Sequence, residues 1–350
     1  MSVKISKTRD KLKKLKAVLA DAHNLLIVIQ DNPDPDAIGA ATALKELVRK
    51  TNNVNSQIAY GGTVGRAENR ELIHYLQFKF YTFDEVDWSN FDLIAMVDTQ
   101  PRTGNNPLPA HIHPDIVIDH HPIRKYTRKI DFTDIRQGCG ATSTILWEYL
   151  CAAKVEPNMP LATALLYGIM SDTQDLGRET TKADIEAMET LYPLANKRML
   201  SQIKNGREPN SYYELLAKGL NNTKIYDHCA ICRMGIIDNA DMLSEVADLL
   251  LRHEQVDWVL CYGTVDGNML LSLRTQDKNM SAGDVIHSIV KKIGTGGGHD
   301  SMAGGQIILK RQGGKPITKT EAGKIIRERF LKALGISGKK GVRLVGKKKS

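Results

Sequence analysis

The sequence has 350 residues, of which 42% are hydrophobic and 25% charged, a composition typical of a globular protein of about two domains. No apolar run approaches the ~18 residues that a membrane span needs, and the N-terminus is too polar for a signal peptide, so we expect no membrane partner. The five cysteines are irregularly spaced, which argues against a disulfide framework and favours the cytoplasm.

The net charge of +8 is concentrated in the two ends of the chain. Residues 1–16 hold seven Lys/Arg and one Asp, and residues 336–350 hold six Lys/Arg and no acid, so the body between them is acidic, at −4. We expect residues 336–350 to form a basic disordered tail. Such a tail would either contact nucleic-acid phosphates weakly, without reading sequence, or serve solubility alone.

The first predicted elements lead to an acidic turn. Residues 8–23 have apolar side chains at helical spacing, and residues 25–30 form an apolar run without polar alternation, which is typical of a buried parallel strand. That run is followed by Asn32-Pro33-Asp34-Pro35-Asp36. Residues 37–50 then predict a helix whose N-terminus lies beside the two aspartates, and residues 67–78 predict another helix.

Three more apolar runs, each predicted to be a strand, end at an acidic residue. They are residues 91–97 before Asp98, residues 115–118 before Asp119-His120-His121, and residues 165–170 before Asp172. A single aspartate at a strand end is often only a turn former. Four acidic ends, one with two histidines, indicate a shared site at one sheet edge, and their oxygen and imidazole ligands suit Mn²⁺ or Mg²⁺.

The rest of the first domain is predicted to be mainly helical. Residues 141–151 predict a helix whose start, Gly140-Ala141-Thr142-Ser143, lets the backbone come close to the site. The loop 173–181 carries Arg178, a candidate phosphate contact, and a helix follows at 183–192. We predict a first domain of residues 1–195 and a helical connector of residues 196–224.

The second domain, residues 225–335, has a mixed α/β pattern. Strands are predicted at 228–237, 256–263 and 269–275, with a helix at 241–253. Cys229 and Cys232 form a Cys-x-x-Cys, but no second pair exists in the sequence. Because these side chains face opposite sides of a strand, core packing is favoured over a zinc or redox site.

A glycine-rich stretch in the second domain predicts an anion-binding turn. Gly297 and Gly298 let backbone amides approach an anion, and His299 can donate a hydrogen bond to it. Arg274, at the end of the preceding predicted strand, offers a planar guanidinium for phosphate.

Together these stretches resemble the DHH phosphoesterase family with its C-terminal DHH-associated domain, in the oligoribonuclease and pAp-phosphatase-like branch. The matching stretches occur in the family's order: residues 32–39, Val97-Asp98-Thr99, Asp119-His120-His121, residues 140–143, Ser171-Asp172-Thr173 and Gly296-Gly297-Gly298-His299.

The resemblance implies a metal site built from Asp36, Asp98, His120 and Asp172. It implies a second, adjacent metal bound by Asp34, with Asp98 as the bridging carboxylate. Two ions in this arrangement can stabilise both the attacking and the leaving oxygen of a phosphoryl transfer.

The resemblance also implies catalytic and substrate-binding groups. His121 would lie against the substrate phosphate, and Asp119 would orient the histidines from behind. Arg274 and His299 would contact the substrate from the second domain.

The sequence departs from the family at one metal ligand. The family pattern has a histidine two residues before Asn-Pro-Asp, where this chain has Gln30. An amide oxygen is a much poorer ligand than imidazole for a transition ion. The sequence therefore predicts one strong metal site and one weakened site.

We therefore expect two α/β domains: a doubly wound, mostly parallel sheet domain and a smaller mixed domain, with the active site in the cleft between them. The expected activity is metal-dependent hydrolysis of short oligonucleotides or of nucleotide phosphoesters such as pAp, by attack of a metal-bound hydroxide.

Two alternatives remain open. One is a cyclic-dinucleotide phosphodiesterase or a polyphosphatase built on the same site. The other is a non-catalytic nucleotide-binding sensor, because Gln30 replaces a metal-ligand histidine. The sequence also leaves the oligomeric state open, a homodimer included.

Overall fold

The computed structural model describes residues 2–265, 267–298, 300–310, 316–336 and 340–346, without the side chains of residues 2–6. The chain divides into two units, Met1–Arg207 and Glu208–Ser350. Among the described residues, no helix is both long enough and apolar enough to span a membrane.

The first unit contains a six-stranded sheet and seven α-helices among its described residues. The strands are β1 (Asn24–Val28), β2 (Asn55–Tyr60), β3 (Phe80–Thr82), β4 (Leu93–Val97), β5 (Ile116–Asp119) and β6 (Phe132–Ile135). The helices are α1 (Ser2–Val18), α2 (Pro35–Asn52), α3 (Ala67–Leu76), α4 (Thr142–Ala153), α5 (Met159–Asp172), α6 (Lys182–Leu191) and α7 (Lys197–Lys204). The strands predicted at 25–30, 91–97 and 115–118 are confirmed as β1, β4 and β5.

The sheet is parallel throughout, in the order β3-β2-β1-β4-β5-β6. The chain builds outward from β1 in one direction and then from β4 in the other. Loops that leave the carboxyl ends of β1 and β4 therefore diverge to opposite sides and open a crevice between them. The acidic residues after these two strands lie at this switch point, which confirms the predicted doubly wound sheet.

The strand predicted at 165–170 is wrong, because this run lies inside helix α5. A short apolar run that is buried on all sides does not reveal its period, so a buried helix and a buried strand look alike in sequence. Asn158 caps the helix by accepting a hydrogen bond from the Leu161 amide at 2.9 Å. Asp172 is consequently the last residue of a helix rather than the residue after a strand.

Helices α2 and α5 pack closely because two glycines allow it. A Cβ atom on Gly39 of α2 would lie 2.8 Å from the carbonyl oxygen of Ala164 in α5. A Cβ atom on Gly168 of α5 would lie 2.5 Å from the Ser143 hydroxyl and 3.0 Å from the Cα atom of Asp36. This close packing brings the end of α5, and with it Asp172, toward the start of α2.

The second unit is a seven-stranded mixed sheet with four α-helices among its described residues. The strands are β7 (Lys224–Tyr226), β8 (Cys229–Ile236), β9 (Trp258–Val265), β10 (Asn268–Thr275), β11 (Gly294–Gly298), β12 (Met302–Ile308) and β13 (Val342–Arg343). The helices are α8 (Asn210–Asn222), α9 (Asp241–Leu250), α10 (Ala282–Val290) and α11 (Lys319–Ala333). The strand order is β11-β12-β10-β9-β8-β7-β13, with only β8 and β9 pairing in parallel among these described strands.

The prediction for the cysteines is confirmed. Cys229 packs in a core with Trp258, whereas Cys232 packs on the other face of β8 with Met234. The five cysteines are free thiols.

Two predictions for the second unit are wrong. The glycine-rich stretch is not a turn: residues 294–298 form the edge strand β11, paired with β12 so that Gly296 lies opposite Gly305. The basic tail is not wholly disordered, because Val342 and Arg343 pair with β7 and the Leu344 amide donates to the Thr223 carbonyl. Residues 337–339 and 347–350 of that predicted tail lie outside the described part of the chain.

Candidate metal centre

The turn after β1 places two aspartates at the start of α2. Asp34 is the N-cap of this helix, and Pro35 occupies the first turn, where its missing N–H costs nothing. Asp36 follows one residue later and is fully buried. Its carboxylate therefore needs donors from elsewhere in the fold.

The N-terminus of α4 supplies those donors. The amide of Thr142 donates to Asp36 Oδ2 at 2.7 Å, and the amide of Ser143 donates to Asp36 Oδ1 at 2.8 Å. The Thr142 hydroxyl also donates to Asp98 Oδ1 at 2.8 Å. The positive end of one helix thus holds two neighbouring carboxylates.

Asp98 follows β4 in a left-handed backbone conformation, with φ of 60°. This conformation costs a non-glycine residue on the order of 1–3 kcal/mol and is retained mostly at functional sites. The Asp98 amide donates to the Ile118 carbonyl at 3.0 Å, which extends the pairing with β5 by one residue. The buried carboxylate is thereby fixed beside the loop that carries the two histidines.

His120 is oriented by a backbone carbonyl. Its Nδ1 lies 3.3 Å from the carbonyl oxygen of Cys139. A carbonyl can only accept a hydrogen bond, so Nδ1 carries a proton. The other ring nitrogen, Nε2, is buried without a hydrogen-bond partner of good geometry, 3.3 Å from Asp172 Oδ2 and 3.7 Å from Asp98 Oδ1.

His121 is oriented by Asp119. Its Nδ1 lies 2.8 Å from Asp119 Oδ1, and its amide donates to the same oxygen at 3.1 Å. Burial opposes ionisation of Asp119, but hydrogen bonds from His121 and its charge lower the pKa of that carboxyl below its usual value. The Asp119 carboxylate therefore accepts from Nδ1 and fixes the orientation of the His121 ring.

The ligand atoms of Asp36, His120 and Asp172 all lie within 4.8 Å of one another. A second overlapping group, with the same spacing, consists of Asp98, Asp119, His120 and His121. Carboxylate oxygens around an imidazole nitrogen are a donor set for Mn²⁺ or Mg²⁺. The buried, unpartnered Nε2 of His120 is the atom that such an ion would satisfy, so the residues fit a divalent cation.

The charges of the cluster also favour a cation. Burial, and then the neighbouring charge of Asp172, raises the pKa of Asp36 to about 7. Burial and the charges of Asp36 and Asp34 hold the pKa of Asp98 well above its usual range. Burial opposes protonation of His120, but the surrounding carboxylates raise its pKa to about 10. A bound cation would favour the ionised forms of Asp36 and Asp98 and so oppose the rise in their pKa.

Asp34 makes its hydrogen bonds outside the two groups of candidate ligands. Its Oδ1 accepts from the Ala37 amide at 2.9 Å, and its Oδ2 accepts from Gln30 Nε2 at 2.6 Å. Asp34 belongs to neither of the two ligand groups found among the described residues. Gln30 thus occupies one of the two carboxylate oxygens of Asp34.

The predicted phosphate contacts lie in both units. Arg178 donates from Nη2 to the Asp172 carbonyl at 2.9 Å, beside the metal cluster. In the second unit, Arg274 donates from Nε to Asp248 Oδ1 at 2.7 Å, and Gly297 and Gly298 lie on β11. His299 lies outside the described residues.

Two buried residues that hold the site together were not predicted from the sequence. Gln100 donates from Nε2 to Asp119 Oδ2 at 2.7 Å, while its Oε1 accepts from the Arg124 amide and the Thr127 hydroxyl. Asp184 accepts from the amide of Gly140, just before α4, at 2.9 Å. Gln100 follows Asp98 by two residues, which is a weak signal, and Asp184 lies 44 positions after Gly140 in the chain.

Comparison with known proteins identifies both units. The N-terminal domain of the DHH family matches residues 24–169, and the DHHA1 domain matches residues 227–325. An uncharacterized protein of Methanocaldococcus jannaschii is 35% identical over 95% of this chain and 72% of its own length. The cyclic-di-AMP phosphodiesterase GdpP of Bacillus subtilis is 26% identical over 84% of this chain, which spans only 46% of that relative.

Two further likenesses differ in how much of the chain they cover. A probable manganese-dependent inorganic pyrophosphatase of Lactobacillus gasseri is 28% identical over 49% of this chain and 54% of its own length. The crystal structure of an exopolyphosphatase-related protein of Bacteroides fragilis has a TM-score of 0.68 at 15% identity, covering 92% of this chain and 96% of the other. At this identity the structural likeness supports the fold alone.

Mn²⁺ should stabilise the protein more at pH 8 than at pH 5.5. The raised pKa of Asp36, about 7 against 3.8 for a free carboxyl, means that the folded state holds this proton more tightly than the unfolded chain does. Without metal, Asp36 therefore lowers the stability increasingly as the pH rises from about 4 to 7. The stability that protonated His120 contributes is lost in turn between pH 6.5 and about 10. The Mn²⁺-induced rise in Tm, measured by calorimetry, should grow with pH; an increment that shrinks or stays constant would contradict this account of the cluster.

Proposed function

Because the chain belongs to the DHH family, we propose that it is a divalent-cation-dependent phosphoesterase that acts on short oligonucleotides or on nucleotide phosphoesters such as pAp. The observation that carries the proposal is the convergence of three aspartates, Asp36, Asp98 and Asp172, on the unpartnered Nε2 of His120.

The residues of the site would hold the cation and orient the substrate phosphate. A bound divalent ion supplies Lewis acidity toward phosphate and lowers the pKa of water. Asp36, Asp98, Asp172 and His120 would hold it, with Asp36 and Asp98 already fixed by donors from α4. His121, held by Asp119 through Nδ1, would turn Nε2 to a phosphate oxygen.

We further propose that the site binds one ion strongly and a second weakly. The strong site is the one around His120. The second site would need Asp34, whose Oδ2 is engaged by the Gln30 amide. A carboxamide brings no charge and little ligand strength, so the second ion would depend on Asp34, Asp98 and the substrate.

The relatives support a substrate with two nucleotides over pyrophosphate. The likeness to GdpP extends over 84% of the chain, whereas the likeness to the pyrophosphatase covers 49%. A cyclic dinucleotide is accordingly the second candidate substrate, and polyphosphate is a more distant one.

The first test is turnover on a panel of substrates with Mn²⁺ and after chelation. The panel contains dinucleotide and pentanucleotide RNA, pAp, a cyclic dinucleotide, polyphosphate and an RNA of about twenty nucleotides. We expect Mn²⁺-dependent release of mononucleotide or phosphate, faster for the short RNAs than for the long strand, and lost in Asp172→Ala. Equal or faster degradation of the long strand would contradict the substrate class, and hydrolysis that survives Asp172→Ala would contradict the site.

The substitution Gln30→His tests the alternative of a nucleotide-binding sensor. Restoring the imidazole would free Asp34 Oδ2 and complete the second metal site. We expect a wild type with measurable hydrolysis and a gain of about tenfold at saturating Mn²⁺, because the strong site is already present. This is the lower end of the roughly 10–100-fold that changes around a metal ligand typically produce. A silent wild type that still binds nucleotide, activated by orders of magnitude in Gln30→His, would show that the natural chain is a sensor.

A further inference from the structure

Helix α1 precedes the segment that matches the DHH family, yet it is connected to the candidate metal centre by a continuous series of hydrogen bonds through side chains and backbone. Leu12, Leu15 and Leu19 anchor this part of the chain in the core of the first unit. Thr8, only 1% exposed, donates from its hydroxyl to Glu148 Oε2 of α4 at 2.8 Å.

Arg136, just after β6, is the next residue in the series. Its Nη1 bonds Glu148 Oε2, and its Nε and Nη2 both donate to Asp134 Oδ2, at 3.0 Å and 2.7 Å. Nη2 also lies 3.3 Å from the Thr8 hydroxyl. A guanidinium with partners on three sides has one allowed position, so the network fixes Arg136 relative to α1 and α4.

The backbone of Arg136 transmits this position to the ligand loop. Its amide donates to the Asp119 carbonyl at 2.9 Å, and its carbonyl accepts from the Cys139 amide at 3.0 Å. The resulting turn places the Cys139 carbonyl 3.3 Å from Nδ1 of His120. On the far side of this carbonyl, the amide of Gly140 is held by Asp184.

The carbonyl of Cys139 decides which nitrogen of His120 faces the carboxylates. If it moves away, Nδ1 loses its acceptor, and the ring can rotate or change tautomer, which removes Nε2 from the cluster. Groups that orient a ligating histidine typically change metal affinity by about 10–100-fold when they are removed.

We propose that Arg136, held by Thr8 of α1 and by Glu148, is a positioning residue for His120 and thereby sets the affinity of the centre for a divalent cation. The proposal rests on the proposed metal site but not on any substrate. Thr8 of α1 would therefore influence cation binding, although it lies at the far end of this series of hydrogen bonds from His120.

The test compares four variants with the wild type. Arg136→Gln removes the positive charge and the planar guanidinium with its several N–H donors, whereas Arg136→Lys keeps only the charge. Thr8→Val removes the hydroxyl through which α1 contacts Glu148 and Arg136. Arg49→Gln is the matched control, because Arg49 also makes two bonds to one carboxylate, that of Glu46 on the exposed side of α2. Circular dichroism of the metal-free proteins shows which variants are folded.

Two readouts are measured: the Kd for Mn²⁺ by calorimetric titration, and the ¹⁴N coupling to bound Mn²⁺ by pulsed electron paramagnetic resonance, with His120→Gln assigning that coupling. We expect Arg136→Gln to weaken Mn²⁺ binding by about tenfold, the lower end of the range for groups that contact a metal ligand directly, and to diminish the ¹⁴N signal. Smaller losses are expected in Arg136→Lys and Thr8→Val and none in Arg49→Gln. A merely structural role would lower the Tm of the metal-free protein and leave the ¹⁴N signal of the folded fraction intact.

Unchanged affinity and unchanged ¹⁴N coupling in the folded variants would overturn the proposal. If Arg136→Gln does not fold, Thr8→Val and Arg136→Lys decide it by the same two readouts. A wild type that binds Mn²⁺ with the expected nitrogen coupling but hydrolyses nothing would refute the proposed function and leave the positioning role intact. A wild type that binds no Mn²⁺ would refute both.

Discussion

The burial of several neighbouring carboxylates is the constraint on which the candidate metal centre of the first unit depends. Asp36 and Asp98 are removed from water and lie near Asp34, Asp119 and Asp172. Without a counter-charge, such a group holds protons that its members would lose in water, which is why the pKa values of Asp36 and Asp98 rise. Donors from α4 offset part of the cost, and a divalent cation would offset the rest.

The topology of the sheet explains why these residues meet. Strands β1 and β4 are neighbours, but the connections that follow them leave in opposite directions, so their carboxyl ends border an open crevice. Asp36 and Asp98 follow these two strands, and β5 adds the histidines from the next position. The glycines at 39 and 168 then let α5 pack close to α2 and bring Asp172 to the same place from a helix.

The sequence was sufficient for those parts of the site that lie directly after strands. β1, β4 and β5 were predictable because each is an apolar run that stops at an acid, and the resemblance of the ordered motifs to the DHH family supplied the expected ligands. The run at 165–170 was misjudged because complete burial hides helical periodicity. The glycine-rich stretch was misjudged because glycine's conformational freedom suggests a turn. In the structure, the missing side chains instead allow β11 to pair closely with β12.

The residues that hold the candidate ligands in place could not be predicted from the sequence, for a different reason. Gln100, Asp184 and Arg136 act through hydrogen bonds to groups whose position follows only from the fold, such as the Cys139 carbonyl behind His120. Thr8 and Glu148 are 140 positions apart in the chain and share one hydrogen bond. Nothing in residue type or spacing marks such pairs.

The most direct test of the central claim is a crystal structure with Mn²⁺, with the ion located by its anomalous scattering. The account predicts a strong anomalous peak bonded to His120 Nε2 and to oxygens of Asp36, Asp98 and Asp172, with any second peak near Asp34 weaker. A peak that avoids His120, or an equally strong second peak beside Gln30, would contradict it.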